Sequence, residues 1–178
     1  MSQNDVVVWS DNSSLTWSDF KAESNPASYE DSHCVIKYQF TWTINSKNTE
    51  NEILFSIEDI QLTTEFHSIL SWVRPLQNND FLLAHEQGHF DLGELIRREN
   101  LEKLRSVFYE KQFPTRGKNE DQNKQFAKED SGKMIAIDVE KLEQMLSKKR
   151  KEYDDETDFG KNLEKQTEYN DLFAKLKL

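Results

Sequence analysis

The stretch that decides the fold is CVIKYQFTWTI, which occupies residues 34–44. Its even-numbered residues are apolar or aromatic, whereas its odd-numbered residues from Lys37 onwards are polar. Alternation with a period of two is typical of a β-strand that buries one face and exposes the other to water. A polar, turn-like segment at 45–51 follows and the alternation resumes at Ile53. We therefore predict a long hairpin over residues 34–62.

Two shorter strands are predicted beside the hairpin, and the pattern then becomes helical. Val6–Trp9 precede the hairpin and Ser68–Val73 follow it, with Pro75 ending the second strand. From about residue 80 the apolar residues recur at the spacing of a helix. The predicted helices are 80–112, 133–152 and 161–177. The polar residues 115–131 are interpreted as a loop or an exposed helix, and the acidic residues 153–160 as the segment between the last two helices.

Strands first and helices second predict an α+β fold with an N-terminal antiparallel sheet followed by long helices. The chain has 178 residues, the usual size of one domain. We expect a single domain over residues 1–178, with a β part at about 5–75 and a helical part at about 80–177.

The net charge of the chain limits the classes of molecule that it is expected to bind. Lys and Arg number 23 against 33 Asp and Glu, giving a net charge of −10, which disfavours nucleic acid as a partner. No stretch approaches the roughly 20 apolar residues of a membrane span. No signal segment follows Met1, so the protein either stays inside the cell or has lost such a segment. The oligomeric state is left open.

The single cysteine, Cys34, excludes both an internal disulfide and a zinc site built on cysteines. Because Cys34 lies in an apolar strand pattern, we expect it to be a small core residue.

A metal motif lies inside the first predicted helix. Residues 85–89 read HEQGH, an HExxH sequence. Residues four apart share one helix face, so His85 and His89 can reach the same ion, and two imidazoles suit Zn²⁺. Glu86 can then act as the general base that takes a proton from water. Gly88, a poor helix former inside this motif, suggests that another part of the chain approaches the helix backbone closely.

HExxH leaves the third protein ligand of a catalytic zinc site unassigned. His33 and His67 in the β part are candidates, although a histidine at a strand end is usually a surface residue. The other source is an acidic cluster, which becomes relevant because its helix could return the chain towards the motif. Its members are Asp154, Asp155, Glu156 and Asp158.

Several segments together make the chain similar to a known family. They are Leu15–Phe20 (LTWSDF), Ser71–Val73 (SWV), Leu82–Asp91 (LLAHEQGHFD), Tyr153–Thr157 (YDDET) and Lys165–Gln166 (KQ). In this order they resemble a family of uncharacterised bacterial proteins described as predicted secreted zinc-dependent proteases. The resemblance covers about residues 9–172, and the extended HEQxHFD string is more specific than HExxH alone.

The resemblance implies a zincin-like metallopeptidase that holds Zn²⁺ through His85 and His89, uses Glu86 as the base and cleaves a peptide or protein. It also implies that Asp91 either hydrogen-bonds a ligand histidine or caps a nearby strand. A periplasmic or secreted location would follow, while a cytoplasmic one stays open.

The chain departs from the family after YDxET, where a T-x-H pattern is common. Here the sequence is Thr157-Asp158-Phe159, and Phe159 cannot replace a histidine ligand. Asp154 is the favoured third ligand and Asp158 the runner-up. Asp155 and Glu156 are expected to face solvent or bond to backbone donors. The alternative function is a catalytically impaired zincin-fold binding or interaction protein.

Overall fold

Two long antiparallel strands make up most of the sheet, as the alternating pattern predicted. The structure is a computed structural model that describes residues 5–178. Strand β3 (Ile36–Asn48) pairs with β4 (Ile53–His67) in antiparallel register. The predicted hairpin is confirmed, but it begins two residues later and extends five residues further than the 34–62 expected.

The two faces of β3 follow the predicted alternation. Tyr38 is buried in the core, and Phe40 and Trp42 pack against that core from the same side. Lys37 and Gln39 are exposed on the opposite side. Cys34 precedes β3 and is completely buried, so its predicted place in the core is confirmed.

Short strands complete the sheet and add a second one. Strand β1 (Val6–Val8) lies along β4, which gives the order β1-β4-β3. Strand β6 (Phe113–Pro114), which the sequence did not predict, pairs with β4 near the hairpin turn. Strands β2 (Ser32–His33) and β5 (Trp72–Val73) form a separate antiparallel pair. The strand predicted over residues 68–73 is therefore shorter than expected, since Ser68–Leu70 form a 3-10 turn.

A β-bulge in β4 reverses the parity of its buried residues. Phe55 and Ile57 are buried before the bulge and Ile60 after it, with Asp59 in the left-handed region at φ 50°. The backbone groups freed by the bulge find partners near the end of the first helix. The N–H of Ile60 donates to the Tyr109 hydroxyl at 2.9 Å, and Arg105 Nε donates to the Ile60 carbonyl at 3.0 Å.

Helix α1 (Asp80–Phe108) begins where the sequence predicted, because the Asn79 side chain accepts from the N–H of Leu82 at its first turn. It ends four residues before the predicted 112, since Tyr109 is extended and Glu110 has a positive φ of 62°. The core face of β3 contacts α1 through the bond from the Tyr38 hydroxyl to the Gly93 carbonyl, and contacts the following helix through the bond from Trp42 Nε1 to the Ser131 hydroxyl.

Helix α2 (Glu120–Thr157) is much longer than the predicted 133–152. The Asn119 side chain caps it by accepting from the N–H of Gln122, so the polar stretch before residue 133 is helical. Helix α3 (Leu163–Ala174) follows, and a 3-10 turn ends the chain at Lys175–Lys177.

The fold is thus α+β, with the antiparallel strands preceding the long helices except for β6. The end of α2 and the start of α3 return to the first half of α1, where the HExxH motif lies. Among residues 5–178, no helix combines the length and the apolar character needed to cross a membrane.

Candidate metal centre

Three side chains that are distant in sequence meet beside α1. His85 and His89 lie one turn apart on α1, and Asp154 comes from the last turn of α2. Asp154 Oδ1 lies 3.0 Å from His85 Nε2 and 2.8 Å from His89 Nε2. One donor atom from each of the three residues lies within 4.8 Å of the others, and all three residues are buried. The group has the composition and size of a three-ligand metal site.

The hydrogen bonds of His85 indicate which of its ring nitrogens carries the proton, and therefore whether the other nitrogen can bind a cation. Gln166 Oε1, which can only accept, lies 3.0 Å from His85 Nδ1, so this nitrogen carries the ring proton. The lone pair of Nε2 then faces a carboxylate oxygen, an arrangement that a cation between them stabilises. Ligand atoms around a tetrahedral zinc lie roughly 3.3 Å apart. The two distances from Asp154 Oδ1 to the histidine nitrogens, 3.0 and 2.8 Å, lie within a few tenths of an ångström of that spacing.

A layer of residues behind His85 fixes the orientation of its ring. Gln166 on α3 donates through Nε2 to the Tyr153 hydroxyl at 2.8 Å, and that hydroxyl donates to the His85 carbonyl at 3.1 Å. The Thr157 hydroxyl lies 3.3 Å from His85 Nδ1. The Tyr153 ring stacks on the His85 imidazole at a centroid distance of 4.5 Å. Such outer contacts tune how well an imidazole binds a metal.

Gly88 lets α2 approach this closely. A Cβ at position 88 would lie 2.1 Å from the Tyr153 hydroxyl and 2.8 Å from Cζ of the same ring. Glycine is therefore required for Tyr153 to lie against the helix backbone between the two histidines. The close approach expected from this glycine is confirmed.

Burial and charge set the protonation of the group. Burial, together with the positive charge of Arg150, lowers the pKa of His89 to about 4, so His89 is neutral at pH 7. Burial alone would raise the pKa of the Asp154 carboxyl, but its contacts with the ring nitrogens of His85 and His89 and the positive charge of Arg150 outweigh it and hold this pKa well below its usual range. A neutral imidazole and an ionised carboxylate are the forms that bind a metal.

Glu86 lies next to this group and faces a cleft. Its Oε1 accepts from the Ser32 hydroxyl at 2.6 Å, while Oε2 is buried and has no hydrogen-bond partner within residues 5–178. Burial raises the pKa of Glu86, but the neighbouring imidazoles of His89 and His85, the positive charge of Arg150 and the hydrogen bond from Ser32 outweigh it, so the pKa is lowered overall. Glu86 is therefore an ionised carboxylate with one oxygen ready to accept a proton.

The cleft beside Glu86 has a volume of about 420 Å³. Its walls come from the segment before β2, the start of α1 and the turn between α2 and α3. The lining residues include Tyr29, Ser32, Phe81, Glu86, Phe159 and Leu163.

The turn after α2 has an unusual backbone. Asp158, Phe159 and Gly160 have consecutive positive φ values of 47°, 53° and 85°. A left-handed Asp at a helix end is common, but a left-handed Phe is rare and carries strain of about 1–3 kcal/mol. The Phe159 ring lies 6.3 Å from the His85 ring and 5.8 Å from the Tyr29 ring, between centroids.

The other candidate ligands lie elsewhere. Asp158 is the exposed C-cap of α2 and does not join the group. His33 lies 2.9 Å from Glu30 and 3.2 Å from Arg150, so its ring is engaged outside the site. His67 lies at the end of β4, 3.3 Å from Glu65.

The remaining acids of the cluster face solvent, as expected. Asp155 and Glu156 are exposed near the end of α2. Their side chains bind Lys151 and the Tyr169 hydroxyl respectively.

Asp91 does not contact a ligand histidine, which corrects one of the two roles expected for it. Its Oδ1 accepts from Trp9 Nε1 at 2.8 Å and from Gln87 Nε2 at 3.0 Å. The Oε1 of Gln87 in turn accepts from the N–H of Leu15 at 2.8 Å. Asp91 thus fixes the N-terminal segment onto α1, through Trp9 just after β1 and, by way of Gln87, through Leu15.

Sequence reasoning missed four residues that support the site. Ser32 and Arg150 carry no local sequence signal, because the folded chain alone brings them to α1. Gln166 and Thr157 did carry one, since both belong to segments that the family resemblance rests on.

The chain was compared with protein-family models, curated proteins and solved structures, and none of the three comparisons found a match.

Proposed function

We propose that the protein is a zinc-dependent peptidase of zincin-like type. The observation that carries the proposal is the convergence of His85, His89 and Asp154 on one point, next to Glu86, which has a buried, unpartnered oxygen and lines a cleft. The HEQxHFD string and its resemblance to predicted secreted zinc-dependent proteases support the same reading. A periplasmic or secreted location belongs to this proposal.

A zinc ion held by the three side chains would polarise the carbonyl of a peptide bond and lower the pKa of a water molecule. The residues of the chain supply the rest of the chemistry. Oε2 of Glu86 accepts the proton of the attacking water and later passes it to the leaving amine. The hydrogen bond from Ser32 to Oε1 fixes the orientation of the carboxylate.

The network behind the metal group holds the ligands in place. Gln166 and Thr157 fix the proton of His85 on Nδ1, which leaves Nε2 free to bind the ion. Burial keeps His89 neutral at physiological pH.

The test measures zinc content and hydrolysis in matched variants. Protein refolded with excess Zn²⁺ is expected to hold one zinc per chain by elemental analysis. His89→Ala and Asp154→Ala should each lose that stoichiometry, because two donors rarely hold zinc tightly. Asp155→Ala, which removes an exposed carboxylate one residue away, should retain it.

Glu86→Gln separates binding from chemistry, since it keeps the shape of the side chain but removes the proton acceptor. We expect retained zinc and a loss of hydrolysis of at least ~10²-fold on a peptide library read by mass spectrometry. Zinc-free parent protein after refolding, or a Glu86→Gln variant as active as the parent, would contradict the proposal.

One observation favours a second candidate function, that of a zincin-fold binding protein that no longer catalyses. Phe159 stands where the family it resembles commonly has a histidine, and its ring borders the cleft. This candidate predicts stoichiometric zinc in the parent together with no cleavage of any library peptide. Peptides retained by the zinc-loaded parent would then identify it as a binding protein.

A further inference from the structure

We infer that Phe159 and Tyr29 form the wall of a subsite that selects a large apolar side chain of the substrate. The inference rests on the proposed function, because it concerns the cleft next to the metal group. It goes further by naming the class of residue that the cleft accepts.

The subsite lies directly beside the reactive groups. Glu86 is one of the residues that line the cleft, so a side chain inside it belongs to a residue at or next to the bond under attack. The Phe159 ring lies 6.3 Å from the His85 ring, which places the aromatic wall within one side chain's length of the metal group. The volume of about 420 Å³ lies within the range of ligand pockets and leaves room for a large side chain.

The surface of the cleft is mostly apolar. Tyr29 and Phe159 meet edge to face at 5.8 Å between ring centroids. Tyr29, Phe81 and Leu163 are 85%, 67% and 57% exposed, an unusual gathering of solvated large side chains around one opening. Exposed apolar side chains that cluster at a concave site indicate binding rather than core packing.

The polar groups of the lining are mostly engaged elsewhere. The Glu30 carboxylate binds His33, the Ser32 hydroxyl binds Glu86, and Asn79 Oδ1 caps α1. Apart from Glu86, which the proposed chemistry uses, the remaining charged residues Asp31 and Lys161 are opposite in sign. A charged substrate side chain would lose its hydration without gaining a dedicated partner.

The backbone holds Phe159 in this position in a strained, left-handed conformation. Its left-handed φ of 53° is fixed by a bond from its own N–H to the Asp154 carbonyl at 3.1 Å and by one from Asn162 N–H to the Thr157 carbonyl at 2.8 Å. The same turn therefore carries the third ligand at one end and the aromatic wall at the other. With Asp154 supplying the third donor, the site needs no ligand from position 159, and the phenyl ring can serve selection.

The experiment compares three hydroxamic acids, which share one chelating group for zinc. They are acetohydroxamic acid, 3-phenylpropanohydroxamic acid and a succinic monohydroxamic acid that carries a carboxylate in place of the ring. Affinities are measured by calorimetry on zinc-loaded parent, Phe159→Ala, Phe159→Leu and Tyr29→Ala. Phe126→Ala is the matched control, since this partly exposed Phe lies at the other end of α2 against Arg116.

We expect the phenyl compound to bind the parent at least about tenfold more tightly than acetohydroxamic acid, and the carboxylate compound to show no such gain. Phe159→Ala should remove most of the gain, Tyr29→Ala part of it, and Phe159→Leu should keep much of it. Acetohydroxamic acid should bind all variants equally. Because Tyr29 is exposed, its variant keeps the test valid even if Phe159→Ala fails to fold.

Three results would overturn the inference. One is equal affinity for the phenyl and acetyl compounds in the parent while zinc is bound. Another is a phenyl advantage that survives in both Phe159→Ala and Tyr29→Ala, and the third is the absence of binding of all three compounds to zinc-loaded protein. Failure of the parent to bind zinc at all would instead remove the proposed function, and the subsite with it.

Discussion

Between His85 and Glu94, α1 is buried on almost every side, whereas between Leu95 and Phe108 it buries a single stripe. The second half follows the four-residue spacing of an ordinary amphipathic helix. Its buried residues are Ile96, Asn100, Leu104 and Phe108. The first half is enclosed by the sheet, α2, α3 and the N-terminal segment.

The two halves also differ in what they bury. Five of the buried residues in the first half are polar or charged: His85, Glu86, His89, Asp91 and Glu94. Burying such groups is costly unless each has a partner. The partners come from five separate segments, including Ser32, Trp9, Thr64, Asp154 and Gln166. The comparison shows that the second half of the helix buries an apolar stripe, whereas the first half buries the polar groups of the candidate metal centre.

The largest expected effect is on stability in the second half. Leu104→Ala should lower the free energy of unfolding by about 2–5 kcal/mol, because Leu104 is 5% exposed and its removal leaves a cavity. Urea unfolding of zinc-free protein measures this, with the exposed Val107→Ala as the control. Zinc affinity of the folded variant should equal that of the parent. A large loss of zinc affinity would contradict the division between the halves.

An intermediate effect is expected on zinc affinity in the first half. Gln166→Ala removes the acceptor that holds the His85 proton on Nδ1, so we expect zinc affinity to fall about 10–100-fold. Competition with a chromophoric chelator measures the change. Lys165→Ala, at the half-buried neighbour whose ammonium binds Glu168, should leave the affinity unaltered. Equal affinities in the two variants would show that α3 does not support the ligand.

The smallest effect concerns Glu94, where the two halves meet. Burial raises its pKa, but hydrogen bonds from Arg97 and Arg98 outweigh burial and leave the pKa below the ordinary 4.5. A lowered folded pKa means that the ionised form stabilises the fold above about pH 4.5 and that this contribution is lost as the pH falls through the folded value.

The parent should therefore exceed Glu94→Gln in stability by about 1 kcal/mol at pH 7, a figure reduced by the partial solvation of Arg98. The difference should shrink towards zero as the pH drops below 4.5. Urea unfolding of both proteins across this pH range measures it. A difference that is independent of pH would show that the ion pair contributes nothing.

The same contrast between apolar and polar buried residues explains which helices and strands could be predicted from the sequence. The hairpin and the helices were predicted because their buried residues are apolar and periodic. The start of α2 was missed because the residues that it buries first carry little or no hydrophobic signal. They are Asn123, Ala127 and Ser131, and the apolar series begins only at Ile135.

The residues of the candidate site likewise fall into those that the sequence predicted and those that it did not. His85, Glu86 and His89 were found because their spacing along one helix is itself the signal. Asp154 was favoured for chemical reasons, and the structure brings it to the two histidines. Strand β6 and the Ser32 contact could not be read, because a two-residue strand and a single hydroxyl acquire their partners only through the folded chain.

The ligand group also links two points that lie 69 residues apart in the chain, His85 and Asp154. With a single cysteine the chain cannot form an internal disulfide. A metal ion at this group would act as a reversible cross-link, and closing a loop of this length in the unfolded chain is worth ~4 kcal/mol in the entropic description of cross-links. Loss of the ion would then remove this cross-link and shorten the lifetime of the folded protein in the presence of other proteases.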